Sequence, residues 1–222
     1  MIQFSDVWLE KNGHEILRGI DLSLTERRVG VIGRNGSGKS TFARLFNGIE
    51  KPTRGEVRLE GAAAPAELRR HVGFVFQNPD NQIVYPIVTE DLEFGLKNLK
   101  LPKPEIGRRI DQVLERLAIG HLRDRLTHQL SGGEKQLVAL AGVLVMQPRM
   151  IVFDEPTTLL DLWNKQRLMS TLAELDQPIV VVSHDLDLID GFDRVLHFEN
   201  GSLVDDGAPG PVIAGYVDRS KC

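Results

Sequence analysis

Apolar and polar residues alternate in two segments near the start of the chain, residues 2–8 and 16–24. This alternation is typical of strands with one buried face, and Asn12-Gly13 between the segments favours a hairpin turn. The pattern predicts a pair of antiparallel edge strands. The short segment at residues 28–32, which is apolar after Arg28, predicts a third, buried strand.

Helical spacing of apolar residues appears in three later segments. Phe42, Leu45 and Phe46 share one face of a helix that is expected to stop near Gly48. The two further helices are predicted at residues 105–118, where Ile106, Ile110, Val113, Leu114 and Leu117 have helical spacing, and at about 132–146.

Two apolar runs without alternation, residues 150–153 and 179–182, predict strands buried on both faces of a parallel sheet. A hairpin is expected at residues 194–204, and the proline-rich residues 101–104 are expected to form a loop. Helices that alternate with buried strands predict an α/β fold.

Composition narrows the class of protein. The chain has 222 residues, 41% of them hydrophobic and 26% charged, which fits one globular α/β domain. A net charge of −4 gives no basic footprint for nucleic acid, so no such partner is expected. The one cysteine, Cys222, cannot form a disulfide within the chain, and we expect it to be free and exposed.

The sequence also lacks the usual signals for a membrane or for secretion. The N-terminus has neither the basic start nor the apolar run of a signal peptide. No apolar stretch reaches the roughly 18–20 residues that a membrane-spanning helix needs. Any membrane connection is therefore expected to run through another protein.

A glycine-rich loop with the pattern GxxxxGK[ST] follows the strand at residues 28–32 and precedes a helix, which argues against a chance glycine loop. Glycines let backbone N–H groups curl around phosphate oxygens, and the helix N-terminus adds positive potential. We expect Lys39 to contact the β- and γ-phosphates, Ser40 to ligate Mg²⁺ and Thr41 to hold the α-phosphate. The candidate nucleotide-binding residues are Gly33, Arg34, Asn35, Gly36, Ser37, Gly38, Lys39, Ser40 and Thr41.

Two acids, Asp154 and Glu155, directly follow the strand predicted at residues 150–153. Ligands of open α/β sheets bind at the carboxyl ends of strands. We expect Asp154 to hold Mg²⁺ through a water molecule and Glu155 to polarise the attacking water. A solvated pair of loop acids is the alternative, and the glycine loop earlier in the chain favours the catalytic interpretation.

The segment LSGGEKQ at residues 130–136 separates families that share a phosphate loop. Ser131 and Glu134 have the spacing of a capping box that opens a helix, and Gly132 and Gly133 leave room for close backbone approach. The segment resembles the LSGGQ signature of ATP-binding cassette (ABC) ATPases, and the resemblance covers essentially the whole chain. The alternative is a capped helix with no role in binding.

The resemblance implies a P-loop NTPase fold: an ABC ATPase core with an antiparallel β subdomain and an α-helical signature subdomain inserted at about residues 79–147 of a single domain, residues 1–222. It implies hydrolysis of ATP, with ATP and Mg²⁺ bound. It also implies a head-to-tail dimer, expected to be a homodimer, with two nucleotides at the interface. In that dimer Ser131, Gly132, Gly133 and Glu134 of one subunit cap the γ-phosphate held by the other.

Three more residues match motifs of the family in the family's order. Gln77 follows an apolar run, as in the Q-loop, which implies a catalytic and Mg²⁺-binding role. Asp161 in Leu159-Leu160-Asp161 matches the D-loop. His184 matches the switch histidine, which implies that it contacts the γ-phosphate and holds the attacking water with Glu155. Among the six histidines we single out His184 because it follows a buried strand and has an acid beside it.

The sequence departs from the family at three positions. Lys11 stands where an aromatic residue usually stacks on adenine, which puts base selectivity in doubt. Trp8 offers another aromatic ring, and a tryptophan that belongs to the core is the alternative. Glu134 replaces the glutamine of the signature, and Leu137 stands where arginine is common. Neither of these last two residues touches the chemistry in the family's scheme.

Residues 76–84 and 141–148 closely resemble ATPases of energy-coupling factor (ECF) transporters, which import vitamins and metal ions. In these transporters a pair of ATPases docks on a transmembrane coupling protein through a groove near the Q-loop, and a separate membrane protein captures the solute. The chain ends soon after His184, so no C-terminal extension is expected. This brevity resembles the ATPase of the dedicated biotin transporter and ranks biotin ahead of cobalt or nickel.

The location implied is the cytoplasmic face of the inner membrane, as a peripheral subunit. Another ABC importer or an exporter remains the nearest alternative. A soluble ABC ATPase of DNA repair would carry a long coiled-coil insertion, and a ribosome-acting one would carry two cassettes, so both are lesser alternatives. A regulatory cassette without activity would lack catalytic groups, whereas Lys39, Glu155 and His184 are all present.

Overall fold

The computed structural model describes residues 1–60, 62–158 and 160–221. Leu159 of the predicted D-loop and Cys222, predicted to be free, lie outside the described residues. The chain divides into two compact units. The first unit comprises residues 1–74, 149–155 and 177–222, and the second comprises residues 75–148 and 156–176.

The strands build two sheets. Their bounds are β1 (Ile2–Lys11), β2 (His14–Leu24), β3 (Arg28–Ile32), β4 (Arg54–Leu59), β5 (Val72–Val75), β6 (Met150–Asp154), β7 (Ile179–Val182), β8 (Arg194–Glu199) and β9 (Ser202–Gly207). One sheet is antiparallel with the order β2-β1-β4, and the other has the order β5-β6-β7-β3-β8-β9. In the second sheet β6, β7, β3 and β8 run parallel, and β9 pairs antiparallel with β8.

The helices have the bounds α1 (Lys39–Leu45), α2 (Pro65–His71), α3 (Val88–Lys97), α4 (Lys103–Arg116), α5 (Gly132–Leu144), α6 (Leu162–Ala173), α7 (Leu186–Ile189) and α8 (Pro209–Ser220). Short 3₁₀ turns lie at residues 79–81, 120–122 and 127–129. Among the described residues, no helix combines the length and the apolar character needed to cross a bilayer.

Burial follows the two predicted patterns in the sheets. Every residue of β6 and of β7 is buried, as expected for parallel strands with both faces covered. In the antiparallel sheet Ile2 pairs with Leu24 and Phe4 pairs with Leu22, and all four are buried, whereas their neighbours Gln3 and Ser23 are exposed. The alternation along β1 and β2 thus selects the face that packs on the core.

Four phenylalanines join the two sheets inside the first unit. Phe42 on α1 lies 4.9 Å from Phe4, 5.1 Å from Phe46 and 4.7 Å from Phe198, measured between ring centroids. All four rings are buried, and the pairs adopt tilted or edge-to-face geometries, which aromatic quadrupoles prefer. This cluster fixes α1, the helix that follows the glycine loop, against β1 and β8.

The second unit is held by amphipathic helices. Ile106, Ile110 and Leu114 are buried at successive turns of α4 and form one apolar stripe. Helix α5 opens with the predicted capping box: Ser131 Oγ accepts from the Glu134 N–H at 3.3 Å, and a Glu134 carboxylate oxygen accepts from the Ser131 N–H at 2.8 Å. Each bond satisfies a backbone donor near the first turn of the helix.

Some element boundaries predicted from sequence were wrong. Helix α4 begins at Lys103, so Pro104 lies in its first turn rather than in a loop, because the missing proline N–H has no helical partner at that position. The helix predicted to end near 146 ends at Leu144. The sequence reasoning also missed α2, α3, α6, α7 and α8. The start of α8 is marked by Pro209.

Replacing Phe42 by alanine should lower the free energy of unfolding by about 3–5 kcal/mol, because the cavity would lie among three other buried rings. Urea unfolding followed by circular dichroism measures the loss. Phe94→Ala is the matched control, since that ring is 45% exposed. Equal losses in the two variants would contradict a core role for the cluster.

Candidate active site

The glycine loop begins at the carboxyl end of β3 and runs into α1. Gly33 has φ +148°, and a Cβ placed on it would lie 2.2 Å from the Phe198 carbonyl oxygen. Gly38 has φ +99°, and a Cβ there would lie 2.9 Å from the Ile16 carbonyl oxygen. The backbone at these two positions therefore requires glycine for both its conformation and its close packing.

Lys39 is 6% exposed and points back into the loop. Its Nζ donates to the carbonyl oxygens of Gly33 at 2.8 Å and of Arg34 at 2.9 Å. Burial lowers the pKa of Lys39, and the negative charges of Glu155 and Asp154 act in the opposite direction. A partly desolvated ammonium at the loop is a strong point charge for an anion.

Ser37 adds a second polar group to the loop. Its hydroxyl is buried, and the described residues offer it no hydrogen-bond partner. A buried hydroxyl without a partner is costly unless a ligand satisfies it. The loop therefore fits a phosphate group, with the Ser37 hydroxyl and the Lys39 ammonium as donors. Among the other candidate residues of the loop, Arg34, Asn35 and Gly36 are exposed and Thr41 is half-buried.

Ser40 and Asp154 bring two hard oxygen donors together. Ser40 Oγ donates to Asp154 Oδ1 at 2.7 Å, and Arg44 Nη2 lies 3.6 Å from Asp154 Oδ2. Burial raises the pKa of Asp154, against the hydrogen bond from Ser40 and the charge of Arg44. The described residues contain no cluster of three acids, histidines or cysteines that could hold a metal alone. One hydroxyl and one carboxylate fit Mg²⁺, which takes few protein ligands when it binds with a nucleotide.

Glu155 and His184 form the second polar pair. His184 Nδ1 lies 2.6 Å from Glu155 Oε2. The carboxylate side chain is 11% exposed, whereas the imidazole is 58% exposed. Glu155 has φ +51°, an uncommon conformation for a residue with a side chain, and its N–H donates to the Val182 carbonyl oxygen at 2.9 Å. Strand β7 thus fixes the backbone from which the carboxylate projects.

Five predicted residues therefore meet in the first unit: Lys39, Ser40, Asp154, Glu155 and His184 lie at the carboxyl ends of β3, β6 and β7. This arrangement offers an anion cradle, a hard-cation site and a carboxylate that a histidine holds in place.

The chain matches the ABC transporter family over residues 17–158, more than half of its length. This protein is an ABC transporter ATPase. Members of the family hydrolyse ATP, so the chain is an enzyme with the P-loop NTPase fold.

Two relatives of this ABC ATPase match along almost their full length. A Deinococcus radiodurans protein, provisionally named an ABC transporter ATP-binding protein, is 53% identical over 99% of this chain and 98% of its own. The biotin transport ATP-binding protein BioM of Rhizobium etli is 45% identical over 97% of each chain. Among solved structures, CbiO1 of Clostridium perfringens, part of the ABC transporter complex CbiONQ, superposes with a TM-score of 0.86 at 36% identity and covers 99% of this chain and 93% of its own.

The remaining predicted residues of this ABC ATPase lie in its second unit. Gln77 is exposed just beyond β5, and Asp161 caps α6, since its Oδ1 accepts from the Asn164 N–H at 2.8 Å. Ser131 and Gly132 are exposed, whereas a Cβ on Gly133 would lie 2.1 Å from Asn164 Oδ1. The hydrogen bonds from Ser131 lower the pKa of Glu134 and favour the ionised form of the carboxylate that caps α5.

Sequence reasoning missed two side chains that shape the ABC ATPase motifs. Arg44 pairs with Asp154, and its position four residues after Ser40 on α1 could have indicated a shared helix face. Gln82 Oε1 accepts from the Phe76 N–H at 3.2 Å, and its Nε2 donates to the Ala139 carbonyl oxygen at 2.7 Å. Gln82 therefore ties the segment around Gln77 to α5.

Lys11, which departs from the family pattern, and Trp8, the alternative aromatic residue, both form contacts within the first unit. Lys11 Nζ pairs with Glu50 Oε1 at 2.5 Å. Trp8 is half-buried, its Nε1 donates to Asp6 Oδ1 at 2.8 Å, and a Cβ on Gly19 would lie 3.3 Å from its ring. Trp8 therefore packs across a strand of its own sheet rather than in the centre of the core.

Proposed function

We propose that this ABC ATPase is the ATP-hydrolysing subunit of an ECF-type importer, which takes up a vitamin or a transition-metal ion through membrane partners. The observation that carries the enzymatic part is the 2.6 Å contact between His184 Nδ1 and Glu155 Oε2, which lies beside the Lys39 loop and the Ser40–Asp154 pair. Similarity to BioM and to CbiO1 supports the importer part.

Nucleotide binding uses the glycine loop. Residues Gly33 to Thr41 surround the phosphates with backbone N–H groups, and the Lys39 ammonium binds the β- and γ-phosphates. Because burial lowers the pKa of Lys39 in the protein alone, a polyphosphate anion would offset the unfavourable burial of its charge. Ser37 Oγ, buried in the loop, would donate to a phosphate oxygen.

The metal site in this proposal uses Ser40 directly and Asp154 through a water molecule, and the metal-binding role of Gln77 stays a prediction from the sequence. Ser40 and Asp154 already share a hydrogen bond, so they are placed close enough to serve one ion. Mg²⁺, when bound, neutralises charge on the phosphate oxygens. The buried Asp154 carboxylate pairs with Arg44 on α1, and this contact fixes the position of the metal site relative to that helix.

Hydrolysis then requires a positioned water molecule. Glu155 accepts a hydrogen bond from the water and orients its oxygen toward the γ-phosphorus. His184 holds the Glu155 carboxylate and contacts the γ-phosphate. The water oxygen bonds to the γ-phosphorus as the bond from the γ-phosphorus to the bridging oxygen breaks. One proton of the water passes to Glu155 and then to the released phosphate, and ADP leaves with the bridging oxygen. Positioning and charge neutralisation provide the rate enhancement.

The signature residues act across a dimer in this proposal. The N-terminus of α5, capped by the Ser131–Glu134 box, is an anion-seeking helix end with polar groups exposed at Ser131 and Gly132. Within one subunit the phosphates are held by the loop that contains Lys39, so the signature helix end has no phosphate of its own to bind. In this proposal it completes the γ-phosphate site of a second copy instead. Asp161 at the start of α6 belongs to the same interface.

An apolar surface patch of the second unit offers a contact for the transmembrane coupling protein. Val84 is 70% exposed, and Tyr85 and Phe94 pack with ring centroids 5.2 Å apart while both remain partly exposed. Aromatic side chains that stay exposed beside polar neighbours are typical of protein interfaces. Docking at this patch would place the ATPase on the cytoplasmic face of the inner membrane as a peripheral subunit, with a separate membrane protein to capture the solute.

For the solute, biotin is proposed ahead of cobalt or nickel. The similarity to BioM extends over nearly the full length of both chains, at higher identity than the similarity to CbiO1. The second solute class, a transition-metal ion, is retained because residues 76–84 and 141–148 resemble ATPases of ECF transporters, which import vitamins and metal ions.

Replacing Glu155 by glutamine should reduce phosphate release by at least about 100-fold while ATP still binds, because the amide cannot accept the water's proton. The same variant should form a stable dimer in the presence of ATP, detected by size-exclusion chromatography with light scattering. Glu174→Gln, an exposed acid on the second unit, is the control. Undiminished phosphate release by Glu155→Gln would remove Glu155 from the mechanism.

Mixing Lys39→Ala subunits with Ser131→Ala subunits should recover activity that neither variant has alone. A mixed dimer would contain one site with both Lys39 and Ser131 intact, so random pairing would give about a quarter of the wild-type rate. Steady-state phosphate release at a fixed total protein concentration measures the recovery. A mixture as inactive as its components would count against the shared site.

The proposed importer is tested by purification of the tagged chain from solubilised membranes of its own host. Mass spectrometry should identify a transmembrane coupling protein and a second membrane protein that carries biotin. Bound cobalt or nickel would keep the importer and change the solute. Recovery of soluble partners alone would overturn the transport proposal and leave the ATPase intact.

A further inference from the structure

The C-terminal segment of the first unit, comprising β8, β9 and α8 and called the brace below, contacts the glycine loop at three places. The Phe198 carbonyl oxygen lies against Gly33, where a Cβ would approach it to 2.2 Å. The Gly201 N–H donates to the Ser37 carbonyl oxygen at 3.0 Å. Arg34 Nη2 donates to the Arg219 carbonyl oxygen at 3.1 Å. The first two contacts belong to the hairpin, and the third reaches α8.

The hydrogen bond from Arg34 satisfies a backbone carbonyl that has no partner within α8. The carbonyl of Arg219 lies in the last turn of α8, where helical carbonyls lack a partner four residues ahead. This end of a helix also carries partial negative charge, which favours a guanidinium. Arg34 thus caps the C-terminus of α8 with its side chain, while its backbone belongs to the phosphate loop.

Helix α8 is itself held on β8. Val212 is buried, and the Tyr216 ring packs edge-to-face on His197, with centroids 5.0 Å apart. His197 is 3% exposed on β8 and pairs with Ile32, the last residue of β3 before the loop. The cap at Arg219 is therefore fixed relative to the strand that leads into the loop.

The backbone of Arg34 is also coupled to the lysine. Its carbonyl oxygen accepts from Lys39 Nζ at 2.9 Å and from the Ser37 N–H at 3.2 Å. We propose that Arg34 is a positioning residue: its side chain holds the phosphate loop against α8, so that the brace sets the loop geometry that receives the nucleotide. This role rests on the proposed binding of ATP by the loop.

Arg34→Ala should raise KM for ATP about five-fold, as expected for loss of one charge-assisted hydrogen bond in an exposed setting, and leave kcat within about two-fold. Arg34→Lys should recover part of the loss because its ammonium can still donate to the carbonyl. Arg219→Ala is the matched control: it keeps the backbone carbonyl and should leave KM unchanged. An unchanged KM in Arg34→Ala, in a chain that hydrolyses ATP normally, would overturn the positioning role and leave the proposed function standing.

A double-mutant cycle with Tyr216 separates positioning through α8 from direct contact between Arg34 and the nucleotide. Tyr216→Ala loosens α8 from His197 and should raise KM in the wild type but add little in Arg34→Ala. Additive effects would mean that Arg34 acts on the nucleotide itself and would overturn the proposal. Thermal melting checks each fold, and Tyr216→Leu replaces the alanine variant if that one unfolds. A chain that neither binds nor hydrolyses ATP in its wild-type form would instead overturn the proposed function.

Discussion

The buried ammonium of Lys39 is the constraint on which the first unit depends. A cation placed at 6% exposure is unfavourable unless opposite charges and acceptors surround it. Carbonyl oxygens of the loop supply the acceptors, and Asp154 and Glu155 supply the charge. Asp154 is the last residue of β6 and Glu155 follows it. Strand β6 lies two strands away from β3 in the sheet, with β7 between them. The parallel order of the strands therefore determines the electrostatics of the site.

The same order explains how distant segments reach one place. Strand β3 precedes the loop, β6 ends at Asp154 and β7 precedes His184. The three strands run parallel in the order β6-β7-β3. Their carboxyl ends meet at one edge of the sheet, where side chains just past each strand converge. Glu155 with its left-handed φ is the strained point of this edge. Strain of this kind persists only where surrounding structure fixes it, and here β7 does so through Val182.

Sequence patterns predicted those parts of the fold in which local chemistry is sufficient. Continuous apolar runs indicated the buried parallel strands, and Ser131 with Glu134 indicated the cap of α5, because both depend on residues close in sequence. The start of α4 at Lys103 and the presence of α8 were missed, since proline serves both as a loop residue and as a first-turn residue. The pairing of Arg44 with Asp154 was missed because it depends on how α1 lies against β6.

In the glycine loop the sequence motif specifies the residue types, but it does not by itself specify the backbone conformation. The pattern GxxxxGK[ST] requires backbone freedom at Gly33 and Gly38, but that freedom alone allows many conformations. The conformation observed is selected by neighbours distant in sequence: Ile16 lies against Gly38, Phe198 lies against Gly33, and Gly201 bonds to Ser37. Because these neighbours contribute backbone atoms, their own residue types carry little signal. A phosphate loop can therefore be recognised from the sequence, whereas the shape in which it is held becomes visible only when β2 and the C-terminal hairpin are folded around it.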